Sequence, residues 1–123
     1  MDIETIRRTG AAALAGTGVL HLALAPEYLS EQPYIGVLFL LGAAASLFLA
    51  WRLWRANDST AWVLGALVAS GMAAGFVLSR TVGLPGFHEG EWESSGLLSL
   101  LLEGGFVALA YVALHEQVRP AVS

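Results

Sequence analysis

Cysteine is absent from the 123 residues, which removes disulfides, thiolate metal sites, iron–sulfur clusters and cysteine nucleophiles. Lysine is absent too, so all six basic residues are arginines, a bias that GC-rich genomes favour. Charge of either sign is scarce: 13% of residues are charged against 56% hydrophobic, with a mean hydropathy of +0.66. Water-soluble domains carry about 25% charged residues, so lipid is the expected solvent. The net charge of −4 and the lack of a basic patch exclude a nucleic-acid partner, because a phosphate-binding surface needs clustered cations.

Catalytic patterns are missing as well. There is no HExxH, P-loop or GxGxxG. The only aspartates, Asp2 and Asp58, fall at the opposite side of a membrane from His21 and His88, so a Ser-His-Asp set cannot assemble. An enzyme is therefore not the first expectation. No stretch alternates apolar and polar residues at period two, which argues against a transmembrane barrel.

What is present is four apolar stretches, Thr9 to Ala25, Tyr34 to Trp54, Ala61 to Ser79 and Ser95 to Leu114, each near the roughly 20 residues that a spanning helix needs. They lack the wide polar face of helices in a soluble bundle. The expected fold is a single all-α domain, a four-helix transmembrane bundle. The first stretch has the look of a secretory signal, with Arg7 and Arg8 ahead of an apolar run ending in Ala23-Leu24-Ala25. Pro26 just after that point suits a signal protease poorly, since its fixed φ and missing N–H do not fit an extended substrate strand, so the stretch reads as a retained span.

The connections are short: Pro26 to Pro33, Arg55 to Thr60, and a longer loop from Arg80 to Ser94 with turn residues Gly83, Pro85 and Gly86. Arg7, Arg8, Arg52, Arg55 and Arg119 fall on one side and Arg80 alone on the other, which predicts both termini in the cytoplasm. Tyr28, Tyr34 and Trp92 are then expected in the outer aromatic belt and Trp51, Trp54 and Trp62 in the inner one. The outer surface, with Glu27, Glu31, Glu89, Glu91 and Glu93, is acidic and would attract cations. Small residues recur four apart, as Ala12 and Gly16, Gly42 and Ser46, Gly71 and Gly75, and Gly104 and Ala108. Such pairs let helices approach closely in lipid, and packing within one bundle is expected of all four.

Glu103 is the most informative residue. It lies about eight residues from the outer end of its span, about 12 Å deep at the helical rise. A bare carboxylate there costs about 2.5–3.5 kcal/mol, so Glu103 should face the bundle interior and be protonated or paired. Ser95 and Ser99 share its helix face. Thr17 and His21 repeat the same spacing on the first span, with Glu27 just beyond its end. Ser70 lies at about the depth of Glu103, and Arg80 could snorkel down to it. The expected ligand site thus comprises Thr17, His21, Glu27, Ser70, Arg80, Ser99 and Glu103, open to the extracytoplasmic side. The alternative is that His21, Arg80 and Glu103 satisfy one another as interhelical glue. A divalent cation could use His21 with Glu103, or His88 with Glu89 in the acidic loop, and His21 could be an axial ligand to haem.

The combination of His21, Pro26-Glu27, the Ser79-Arg80-Thr81-Val82-Gly83-Leu84-Pro85 run and Glu103 resembles uncharacterised small bacterial four-span membrane proteins. In size and span count the chain is also similar to the DoxX-like four-helix membrane group. The resemblance supports the four-span topology and the choice of polar residues and attaches no activity; the expected setting is the inner membrane, with a homo-oligomer or a larger membrane complex as candidate assemblies. The readings that follow are a binding or accessory protein, a proton- or metal-coupled carrier, and a haem- or quinone-binding redox protein. The nearly apolar stretch from Glu103 to Tyr111 favours binding over carriage.

Overall fold

In the computed structural model, which describes residues 2–118, the chain forms four helices. They are α1 (Ile3–Glu31), α2 (Pro33–Arg55), α3 (Ser59–Arg80) and α4 (Ser94–Val118). All four are long and apolar enough to cross a membrane. Arg119, one of the residues used to orient the chain, lies outside the described residues.

The helix starts follow local chemistry. Asp2 caps α1 by accepting from the Thr5 N–H at 2.8 Å, and Asp58 caps α3 by accepting from the Ala61 N–H at 3.2 Å. Pro33 begins α2, where its missing N–H costs nothing. Burial pushes the Asp58 carboxyl up, but hydrogen bonds from the Ala61 N–H and the Arg52 guanidinium outweigh it and hold the group below its ordinary range. The α2 end is closed from α1: Arg7, buried, donates to the carbonyls of Leu53 (3.1 Å) and Trp54 while its other nitrogen pairs with Glu4 at 3.0 Å. Those carbonyls would otherwise lack partners at the helix end.

The first span differs from the hydropathy reading. α1 runs 29 residues, straight through Pro26, so that only Gln32 separates it from α2. At the helical rise this is about 43 Å, against a hydrocarbon core of about 30 Å. Hydropathy marks only the lipid-facing part of a helix; the backbone goes on hydrogen-bonding past it. Proline's φ is compatible with that continuation, at the cost of the bond to the Leu22 carbonyl and of crowding between the ring and that carbonyl.

Short connections force neighbours to be antiparallel. α1 packs most extensively on α2, α4 on α3 and α1, and the α2–α3 seam is the sparsest. The core lies towards the end carrying both chain termini, where Leu14, Leu53, Trp62 and Phe106 are fully buried. Trp62, expected in an aromatic belt, instead stacks on Phe106 at 5.3 Å and donates its indole N–H to Asn57. It fits because Gly10 leaves the space that a Cβ would take from its ring. Trp51, Trp54, Tyr34 and Trp92 are exposed as expected, whereas Tyr28 turns inward.

The small-residue pairs divide. Gly16 meets Leu102, and the Gly42 and Ser46 turn meets Met72. Gly71, Gly75 and Gly104 pack against nothing: no atom outside their own helix backbone lies within 4 Å of where a Cβ would stand. Spacing alone puts small residues on one face without deciding whether a neighbour comes to that face.

Candidate functional site

Above the core, towards the end carrying the 81–93 loop, the helices part around a cavity of about 270 Å³. All four contribute to its wall, with apolar and aromatic side chains for most of it. An engineered protein cavity of about 150 Å³ takes benzene, so a ring-sized molecule has room here.

At its deep end is a cluster of four polar side chains from α1 and α4. Ser99 donates to Glu103 Oε2 at 2.5 Å and Thr17 donates to the same oxygen at 2.8 Å, the two hydroxyls being 3.1 Å apart. His21 Nδ1 donates to the Thr17 carbonyl at 2.8 Å, one turn back. That bond fixes the proton on Nδ1, which leaves Nε2 as the variable nitrogen, 3.9 Å from Glu103 Oε2. Positions 17 and 21 on α1, and 99 and 103 on α4, are each one turn apart, so the spacing read from the sequence does assemble one site.

Glu103 is 1% exposed, and its hydrogen bonds all fall on Oε2. No buried side-chain oxygen or nitrogen among the described residues lacks a partner. Oε1 therefore keeps contact with open space, and Glu103 is part of the cavity wall. The carboxyl group thus has one oxygen held by the bundle and one turned to whatever fills the cavity. The His21 and Tyr28 rings flank Phe39 at 4.7 and 4.6 Å, making an aromatic wall beside the cluster.

Arg80 goes elsewhere. It forms an ion pair with Glu93, and donates to the Ser79 hydroxyl (2.7 Å), the Glu91 carbonyl (3.1 Å) and, at 3.5 Å, the Tyr28 hydroxyl. Its guanidinium carbon also lies 4.3 Å from the Phe76 ring centroid. Its side chain is 4% exposed and forms, with Leu84 and Phe87, the loop-end wall of the cavity. The loop is anchored there by the Tyr34 hydroxyl donating to the Pro85 carbonyl and Gln32 Nε2 to the Gly86 carbonyl at 2.7 Å. The positive φ of Gly83 and Gly86 lets the loop fold back on itself, bridging Leu84 to Phe87. The expected opening at this end is roofed.

Two other expected members stay outside. Ser70 is exposed on the outer surface of α3, and Glu27 is exposed beyond the lipid-facing part of α1. One residue of helical phase, about 100°, separates Ser70 from the cavity-lining Gly71. In the loop, His88 Nε2 donates to the Thr81 carbonyl at 2.9 Å. Among the described residues no three His, Asp or Glu side chains gather where they could hold a metal ion, neither at His21 and Glu103 nor at His88 and Glu89. The His21 nitrogen that would bind a haem iron lies 3.9 Å from Glu103 Oε2, and the Phe39 ring centroid is 4.7 Å from that of the imidazole. Sequence reasoning missed Glu93, which pairs with Arg80, and the lining residues Phe39, Met72 and Gly75, whose apolar character matches every other lipid-span residue.

No protein-family model, curated protein or solved structure matches the chain.

Proposed function

We propose that this chain is a multi-pass protein of a bacterial inner membrane, with both ends in the cytoplasm, that binds a small ligand in the pocket ending at His21, Ser99 and Glu103 and has no catalytic activity of its own. Its support is a cavity of about 270 Å³ held open in the bundle with a carboxyl oxygen and an imidazole on its wall. Gly71 and Gly75 on its wall meet no neighbour that would forbid a larger residue.

Carriage across the membrane is the second reading, with the His21–Glu103 pair as the proton site. The fully buried layer of Leu14, Trp62 and Phe106 beneath the pair gives a proton or ion no polar step towards the terminal end, which favours binding. Glu103→Gln keeps shape and hydrogen-bonding capacity, so it should melt near the wild type while losing the stabilisation that a bound ligand gives. Melting in detergent, with and without a quinone, a divalent cation and haem, is the measurement. Wild-type melting unmoved by every ligand would leave a structural bundle instead. For orientation, a reporter after Arg55 should read cytoplasmic and one at Glu89 extracytoplasmic; the reverse would turn the molecule over.

A further inference from the structure

The cavity wall is most thinly built between α2 and α3. Leu38 on α2 and Gly71 on α3 both line it and both are exposed, Leu38 by 56%. The α2–α3 seam between them is also the sparsest of the four main helix contacts. The opening has a sill, where Met72 fills the space at Gly42, and a lintel, where Tyr34 holds Pro85 of the loop. Eight residues of α2 separate Tyr34 from Gly42, about 12 Å at the helical rise. Gly75, lining the cavity one turn above Gly71, has nothing within 4 Å of its Cβ position, so at these two positions the α3 side of the gap carries no side chain. The gap lies between two helices long and apolar enough to cross a membrane, so in a bilayer it would face hydrocarbon rather than water.

Resting on the binding reading above, we infer that the pocket is entered sideways from the bilayer, between α2 and α3, by an uncharged ring-bearing lipophile whose hydroxyl or carbonyl head reaches Glu103 and His21. Entry from water is opposed by the roof, where Arg80 is engaged by Glu93, Ser79, Glu91 and Tyr28. Arg80, which lines the cavity, is thereby already paired with Glu93 and is not free to act as counter-charge to an anion. The wall that an occupant would lie along is aromatic, built of Tyr28, Phe39 and Phe87, and rings stack on such surfaces. A hydroxyl suits the deep end in either proton state of the cluster: it donates to a Glu103 carboxylate and accepts from the carboxylic acid.

The test uses the full chain in phosphatidylcholine nanodiscs, with 1-naphthol as the bilayer-soluble probe and a naphthol sulfonate as its water-confined counterpart. Binding is followed by probe fluorescence against empty nanodiscs. Gly71→Leu combined with Gly75→Leu obstructs the gap, and Leu38→Trp does so from the other side if the double variant fails to fold. The roof is locked separately by Tyr34→Cys with Pro85→Cys joined by a short bis-maleimide, since the chain has no cysteine of its own. Saturable naphthol binding that is slowed about tenfold or more by the gap variants, a barrier of about 1.4 kcal/mol, and left within about twofold by the roof lock is the expected result. Slowing by the roof lock with no effect at the gap, or equally fast binding of the sulfonate, overturns lateral entry while the binding reading stands. Naphthol failing to bind while a divalent cation still raises the melting temperature overturns the ligand class alone. If nothing binds to the wild type, the binding reading itself fails.

Discussion

Replacing Gly10 and Gly75 by alanine, one at a time, makes the same chemical change in two helix interiors and should give opposite results. Alanine is favoured over glycine inside a helix by about 1 kcal/mol at both positions. At Gly75 the new methyl meets nothing within 4 Å, so that gain should be kept, raising stability by up to about 1 kcal/mol. At Gly10 it would overlap the Trp62 ring, with the Cζ3 atom 2.7 Å from the Cβ position. Trp62 cannot yield easily, because it is fully buried, stacked on Phe106 and hydrogen-bonded to Asn57. Overpacking of this kind costs about 1–3 kcal/mol, which meets or exceeds the propensity gain. The two variants should therefore differ by about 1–3 kcal/mol, with Gly10→Ala the less stable. Unfolding in mixed micelles by increasing dodecyl sulfate, followed by circular dichroism, measures the difference. Equal stability of the two variants would refute the close seating of Trp62 against α1.

Arg80 should couple to Glu93 and not to Glu103: in double-mutant cycles with Arg80→Gln, Glu93→Gln should give an interaction energy of about 0.5–3 kcal/mol and Glu103→Gln one near zero. Thr17→Val, close in shape, removes one donor to Glu103 and should cost about 0.6–1.7 kcal/mol, the range for hydrogen bonds between spanning helices; a neutral result would mean that Ser99 alone satisfies the oxygen. Because the Asp58 carboxyl titrates lower folded than unfolded, its contribution is present above the unfolded value, about 3.9, and is lost as pH falls through the lower folded value. Asp58→Ala should accordingly destabilise the protein by about 0.5–2 kcal/mol at neutral pH, with the deficit shrinking in acid; a deficit unchanged at the lowest accessible pH would contradict the role of its charge.

Much of this architecture was legible from residues alone. A run of about 20 apolar residues has one stable conformation in lipid, because only a helix satisfies its backbone internally, and four such runs with short connections give an antiparallel bundle. The pairing of Ser99 with Glu103, and of Thr17 with His21, follows from the helical period. That Glu103 turns inward follows from the cost of a carboxyl group in hydrocarbon. The extension of α1 through Pro26 was not legible, since hydropathy stops reporting where lipid stops while the backbone hydrogen bonds continue.

Which helix faces meet was decided only in three dimensions. Ser70 and Glu103 share a depth, yet α3 turns Gly71 and Gly75 to the cavity and leaves Ser70 outside. Arg80 could reach for either Glu93 or Glu103 along the chain; the folded loop brings Glu93 to it and turns a loose acidic segment into a roof. Sequence determined the four helices and the chemistry each one carries, because periodicity and desolvation act on a single helix. Tertiary structure decided the void and its aromatic wall, because a cavity is a relation among four helices, and glycines that pack tightly at position 10 and against nothing at position 75 are the same residue in the sequence.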